Sequence, residues 1–131
     1  MNTIDWKTLL VSAEGRLARQ TFWIVGGFLI LTLMVYESLG GLTWRLLTGW
    51  MIYPLLIFFG ACVLSKRLHD RGRSGWYAAP IILSMIGVMG PWNAVDLIFL
   101  AVLIWAFVEL ALLTGEQGAN RYGLNPVRQP A

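Results

Sequence analysis

Apolar positions in this chain run in long unbroken blocks with brief polar punctuation, not in the alternation or narrow stripes that mark a water-facing fold. The blocks are about 21–39, 46–64, 76–89 and 93–113. The first, second and fourth approach the roughly 20 residues needed to cross about 30 Å of hydrocarbon. Gly40-Gly41 closes the first. Pro54 marks a kink point in the second that neighbouring helices must accommodate. The apolar region from Trp76 to Leu113 is too long for one crossing, and Gly90-Pro91-Trp92-Asn93 divides it by a strong turn signal. The third block then spans only about 21 Å at 1.5 Å per residue and holds Pro80. It either crosses with local thinning or enters as a re-entrant half-helix, and crossing is the expectation. Residues 1–20 are mixed, with Trp6, Leu9, Leu10, Ala13 and Leu17 at helical spacing, and predict a short amphipathic segment in the headgroup layer. A cleaved signal peptide fits poorly: the apolar run starts late, carries Glu37 and lacks a following A-x-A-like site. The expected fold is all-α, an integral membrane four-helix bundle forming a single domain over 1–131, with a loop at 65–75 and a polar, turn-rich tail at 114–131.

Composition supports this layout. The 131 residues are 57% hydrophobic and only 13% charged, whereas soluble domains carry about 25% charged residues. Such a deficit cannot cover a water-facing surface without large apolar patches. Seven Trp suit the interfacial belts of a bilayer. The single Cys62 excludes an intramolecular disulfide and reads as a packed thiol inside an apolar run. Four crossings place Lys7, Arg16, Arg19, Lys66, Arg67, Arg71, Arg73, Arg121 and Arg128 on one side and leave Arg45 alone on the other. The positive-inside bias then puts both termini and the 65–75 loop of a multi-pass protein in the cytoplasm. The same bias accounts for the net charge of +3, so no nucleic-acid partner is invoked.

Candidate chemistry concentrates in SKRLHDRGRSGW, residues 65–76. Gly72 offers a left-handed helix end and Ser74 an N-cap for the next helix. Arg71 and Arg73 beside that helix start make an anion-binding candidate, whose simpler reading is a capped turn meeting anionic lipid headgroups. His69 and Asp70 do not suffice for a metal site, because zinc takes three or four ligands and the chain has one His and one Cys. Adjacent helical residues also point about 100° apart, so Asp70 is expected to pair with Arg16, Arg19 or Arg121. Neither a metal nor a cofactor is expected. Three carboxylates lie at membrane level: Glu37, Asp96 and Glu109. Glu37 and Asp96 are expected to cluster with Arg45 at the outer side, and Glu109 to be reached by Arg67 or Arg121. Asp96 and Glu109 are about 20 Å apart along one helix, too far for direct proton relay.

Three motifs carry a resemblance. Gly15-Arg16-x-x-Arg19-x-x-Phe22-Trp23, Arg67-Leu68-His69-Asp70-x-Gly72-Arg73-Ser74-Gly75-Trp76 and Gly118-x-Asn120-Arg121-Tyr122-Gly123-x-x-Pro126 are similar, in order, to the signatures of the YhaH-like bacterial inner-membrane proteins, domain-of-unknown-function family 805. Tyr77 departs from a second Trp common at that place. The resemblance implies a small integral protein of the bacterial cytoplasmic membrane and implies no reaction. On the layout above all three motifs share one membrane face. Arg16, Arg19, Arg67, His69, Asp70, Arg71, Arg73, Ser74, Asn120 and Arg121 are therefore expected to form one polar cluster. The leading expectation is a structural or interaction role, with the cluster meeting anionic headgroups, a partner membrane protein or a second copy. A transporter or channel subunit using Glu37, Asp96 or Glu109 is the alternative. An enzyme on a lipid or polyprenyl phosphate, with His69 moving a proton, comes third because the catalytic inventory is sparse.

Overall fold

The computed structural model describes residues 5–88 and 93–127. These are helical apart from the connections and the tail, and no strand occurs among them. Five helices follow one another: α1 (Trp6–Val11), α2 (Arg19–Leu39), α3 (Leu42–Asp70), α4 (Ala78–Gly87) and α5 (Ala94–Ala106). A 3-10 turn, Gly75–Tyr77, leads into α4, and α5 continues as a π-helical segment, Phe107–Leu112.

Three helices are long and apolar enough to cross a membrane: Arg19–Leu39, Leu42–Asp70 and Ala94–Leu112. In α2 only 6% of the apolar window is buried within the chain, so its Ile, Leu and Phe side chains face outward. That exposure is untenable in water and ordinary in lipid. The third apolar block is short, in line with the expected length of about 21 Å. Its helix ends at Gly87, and even with the 3-10 turn it extends only about 20 Å. The Gly90-Pro91-Trp92 turn signal lies outside the described residues, as do Met1–Ile4, Met89 and Arg128–Ala131. Asn93 is the N-cap of α5, accepting from the N–H groups of Val95 and Asp96 while Asp96 accepts from the Asn93 N–H, a reciprocal capping box.

The second block begins and ends more widely than its apolar run. Helix α3 starts at Leu42, so Arg45 sits in a helical turn and not in a loop, and the helix runs through Pro54 to Asp70. At about 43 Å it is longer than the hydrocarbon is thick, and its last turns hold Ser65, Lys66, Arg67 and Asp70 buried beside Leu68. The N-terminal segment also differs: α1 has only six residues and does not stand apart. Its Leu9 packs with Leu17, Val25 of α2 and Val63 of α3. Lys66 of α3 donates through Nζ to the carbonyls of Thr8 and Leu9, tying the last turn of α1 to α3. A second core joins α3, α4 and α5 through Leu68, Ala78, Ile81, Ala106 and Leu110. The two cores lie at the end of the molecule where α3 finishes and α5 returns.

Candidate functional site

The C-terminal end of a helix exposes carbonyls with no N–H to meet them. Here the π winding bonds residue i to i+5 and leaves one more such carbonyl than an α-helix does. Each of five successive carbonyls at this end receives a side-chain donor from α2 or from α3 and its C-cap. Arg67 Nε donates to Leu110 O at 2.7 Å, Trp23 Nε1 to Ala111 O at 3.0 Å and Arg19 Nη1 to Leu112 O at 2.7 Å. Arg67 Nη2 donates to Leu113 O at 2.6 Å, and Arg71 Nη1 to Thr114 O. Cationic donors also oppose the negative end of the helix dipole. Arg19 of the first motif and Arg67 of the second thus bind the end of the last helix.

Asp70 holds the donors in place. Its Oδ1 accepts from Arg16 Nε at 3.0 Å and its Oδ2 from Arg67 Nη1. The Arg16, Arg67 and Asp70 side chains are 1%, 0% and 4% exposed. Arg67 further donates to Leu17 O at 3.3 Å, so one guanidinium joins the α1–α2 connection, its own helix and the end of α5. Arg16 reaches the tail, donating to the carbonyls of Glu116 and Gly118, each at 2.6 Å. The Glu116 N–H returns to Asp70 O at 2.8 Å. Of the three partners expected for Asp70, Arg16 is used. Arg19 and Arg121 are not, because Arg19 lies on the Leu112 carbonyl and Arg121 over the Tyr122 ring, 4.8 Å from its centroid.

The turn after α3 directs the remaining residues. Gly72 takes φ +67°, a left-handed value that closes the helix, and Arg73 N–H bonds back to Leu68 O at 2.9 Å. Arg71 and Arg73 then converge on Glu109 Oε1 at 3.2 and 3.0 Å. This corrects the expectation of Arg67 or Arg121 for Glu109: Arg67 is taken up by Asp70 and carbonyls, and the reversal at Gly72 brings Arg73 to the carboxylate. The Arg73 guanidinium also lies 5.5 Å from the centre of the Trp105 ring. Ser74 caps the 3-10 turn, accepting from the Trp76 N–H. His69 Nδ1 lies 3.1 Å from Gly15 O, and its ring stacks on Tyr122 with centroids 3.8 Å apart. Asn120 donates to His69 O at 2.9 Å and to Glu116 Oε2 at 2.7 Å.

The other two membrane-level carboxylates stand apart. Glu37 accepts from Arg45 Nη1 at 2.7 Å and from the Tyr53 hydroxyl. Asp96 instead accepts from the Asn93 N–H at 3.0 Å, so it serves its own helix start and the expected three-residue outer cluster reduces to Glu37 with Arg45. Sequence reasoning passed over Trp23 as a donor, Lys66, Glu116 and the Tyr122 stack. Trp23 had a signal, standing one helical turn beyond Arg19. Lys66 had none, because its acceptors are carbonyls of α1, about 57 residues earlier in the chain.

A helical chain with three helices long and apolar enough to span a bilayer, and a buried Arg16–Asp70–Arg67 network at the end where α3 and α5 finish, has the design of an integral membrane protein. Its family is shown by comparison: the family model described as "Protein of unknown function (DUF805)" matches residues 10–124, and the chain belongs to that family. It is 32% identical to "Uncharacterized protein YiiR" of Escherichia coli strain K12 over 87% of this chain and 85% of that one. It is 28% identical to "Inner membrane protein YhaH" of the same strain over 97% of this chain and all of that one. No solved structure matches the chain.

Proposed function

We propose that the protein is a multi-pass component of the bacterial inner membrane with both termini and the 65–75 turn in the cytoplasm. In this reading its cytoplasmic-end network is a structural lock that presents a rigid face to anionic headgroups or to a partner membrane protein. The reading is carried by the run of carbonyls from Leu110 to Thr114, each met by a side chain from α2 or the α3 end. Arginines used this way hold helices together and leave few donors for a diffusing substrate. In this reading the short α4 makes the fourth crossing with local thinning of the bilayer. The relative named "Inner membrane protein YhaH" supports the location, and the nine-to-one distribution of basic residues supports the orientation.

A transport path through the carboxylates is less favoured, since Glu37, Asp96 and Glu109 are each engaged locally and at separate helix ends. The test is topological: fuse phosphatase or fluorescent reporters to each terminus and insert one at Gly72. Cytoplasmic signals at all three positions are expected, and a periplasmic signal at any of them overturns the reading.

A further inference from the structure

Helices α3 and α4 pack together around Leu68, Ala78 and Ile81, and beside this contact a groove of about 700 Å³ opens between them. Its trough is lined by Ile57 and Ala61 of α3 and by Ile82, Leu83 and Ile86 of α4. From Ile57 to His69 the trough runs about 18 Å along the helix, roughly the depth of one leaflet's hydrocarbon. The wall changes character at one end only, where Ser65, His69, Ser74 and Tyr122 meet.

The hydrogen bonding there is directional. A backbone carbonyl only accepts, so the contact with Gly15 O places the proton of the neutral His69 ring on Nδ1. The Nε2 atom is left as an acceptor, and it has no partner among the described residues. Gly75 keeps it accessible: a Cβ there would stand 3.0 Å from both Nε2 and Ser65 Oγ. Tyr122 stacks on His69, and the Arg121 guanidinium lies over the Tyr122 ring, close enough for its charge to act on His69, and makes no ion pair among the described residues. The apolar trough thus ends at a fixed acceptor, and the Arg121 guanidinium lies just outside the groove, against the Tyr122 ring that lines it.

We propose that this groove binds one anionic phospholipid with a hydroxyl-bearing headgroup. The acyl chain lies in the trough, the phosphodiester meets Arg121, and a headgroup hydroxyl donates to His69 Nε2. The assignment rests on the reading above that this end lies at the cytoplasmic headgroup level. A zwitterionic lipid offers Arg121 no net charge, and an anionic lipid without a hydroxyl leaves Nε2 unmet.

The test is competition for the full-length protein in detergent. Dioleoyl phosphatidylglycerol, phosphatidylmethanol and phosphatidylethanolamine are added in equal amounts, and retained lipid is counted by native mass spectrometry. The first two share charge and chains and differ in the hydroxyls. The expected order places phosphatidylglycerol about fivefold above phosphatidylmethanol, as one net hydrogen bond of about 1 kcal/mol provides, with phosphatidylethanolamine last. Arg121→Gln, on the surface, abolishes the advantage of both anionic lipids over phosphatidylethanolamine. Gly75→Ala and His69→Phe, the latter keeping an aromatic face for Tyr122, each erase the difference between the two anionic lipids. If His69→Phe does not fold, the other two variants carry the test. Equal retention of all three lipids, or an order unchanged in every folded variant, overturns the proposal. The topology reporters separate its failure from that of its foundation: lost selectivity with cytoplasmic reporters removes the lipid site alone.

Discussion

Replacing Arg67 with methionine isolates what the buried guanidinium contributes, because methionine keeps a long flexible stem and deletes the charge and every donor. Arg67 is fully buried and donates to Leu110 O, Leu113 O, Leu17 O and Asp70. Removing one partner of a buried ion pair costs about 3–5 kcal/mol. The lower end applies here, because Arg16 still meets Asp70 and water can reach some carbonyls at a helix end. A loss of about 3 kcal/mol lowers the folded-to-unfolded ratio by more than a hundredfold, taking about 1.4 kcal/mol for each factor of ten. The assay is SDS titration of the protein in dodecylmaltoside micelles, followed by tryptophan fluorescence. Arg73→Met is the control: that side chain is 41% exposed, and exposed pairs are worth about 1 kcal/mol or less. Adding Asp70→Asn to Arg67→Met should cost less than the two single losses together, by about 0.5–3 kcal/mol of coupling. If Arg67→Met unfolds within 1 kcal/mol of the parent, or no lower than Arg73→Met, the guanidinium is not what holds the three segments.

The same titration checks three further expectations. Gly72→Ala forces a side chain into the left-handed region and should lose about 1–2 kcal/mol. Trp23→Phe retains a ring for the edge contact with Phe107 but removes the donor to Ala111 O, so a loss of about 1 kcal/mol is expected; no measurable change would mean that this carbonyl finds water instead. Leu110→Ala, at 1% exposure in the core shared by α3, α4 and α5, should lose about 2–5 kcal/mol. A loss below 1 kcal/mol would show that these helices do not close around it.

How far the sequence carried depends on the range of each interaction. Ser74 as a cap and Gly72 as a helix end were legible because both act within a few residues. The apolar blocks were equally legible, since hydropathy over about 20 residues reports directly on the surrounding medium. The shortness of α4 was legible too: the block from Trp76 to Met89 gives about 21 Å, and the 3-10 turn with its helix gives about 20 Å. Arg67, one of two arginines expected to reach Glu109, is found on Asp70 and three carbonyls. Carbonyls are carried by every residue and leave no mark in a sequence, so donors that serve them look uncommitted until the fold is known.

By itself the chain determined a helical protein whose long apolar stretches seek lipid and whose cations fall almost entirely in the short polar segments between them. Those properties follow from composition and local spacing, which no tertiary contact is needed to establish. Only the folded molecule decided that α1 docks on α3, that Glu109 takes Arg71 and Arg73, and that the winding after Ala106 widens into a π segment whose carbonyls are met from other helices. The physical reason is competition. Several arginines stand near several acceptors, and which pairs form depends on where the helix ends come to rest.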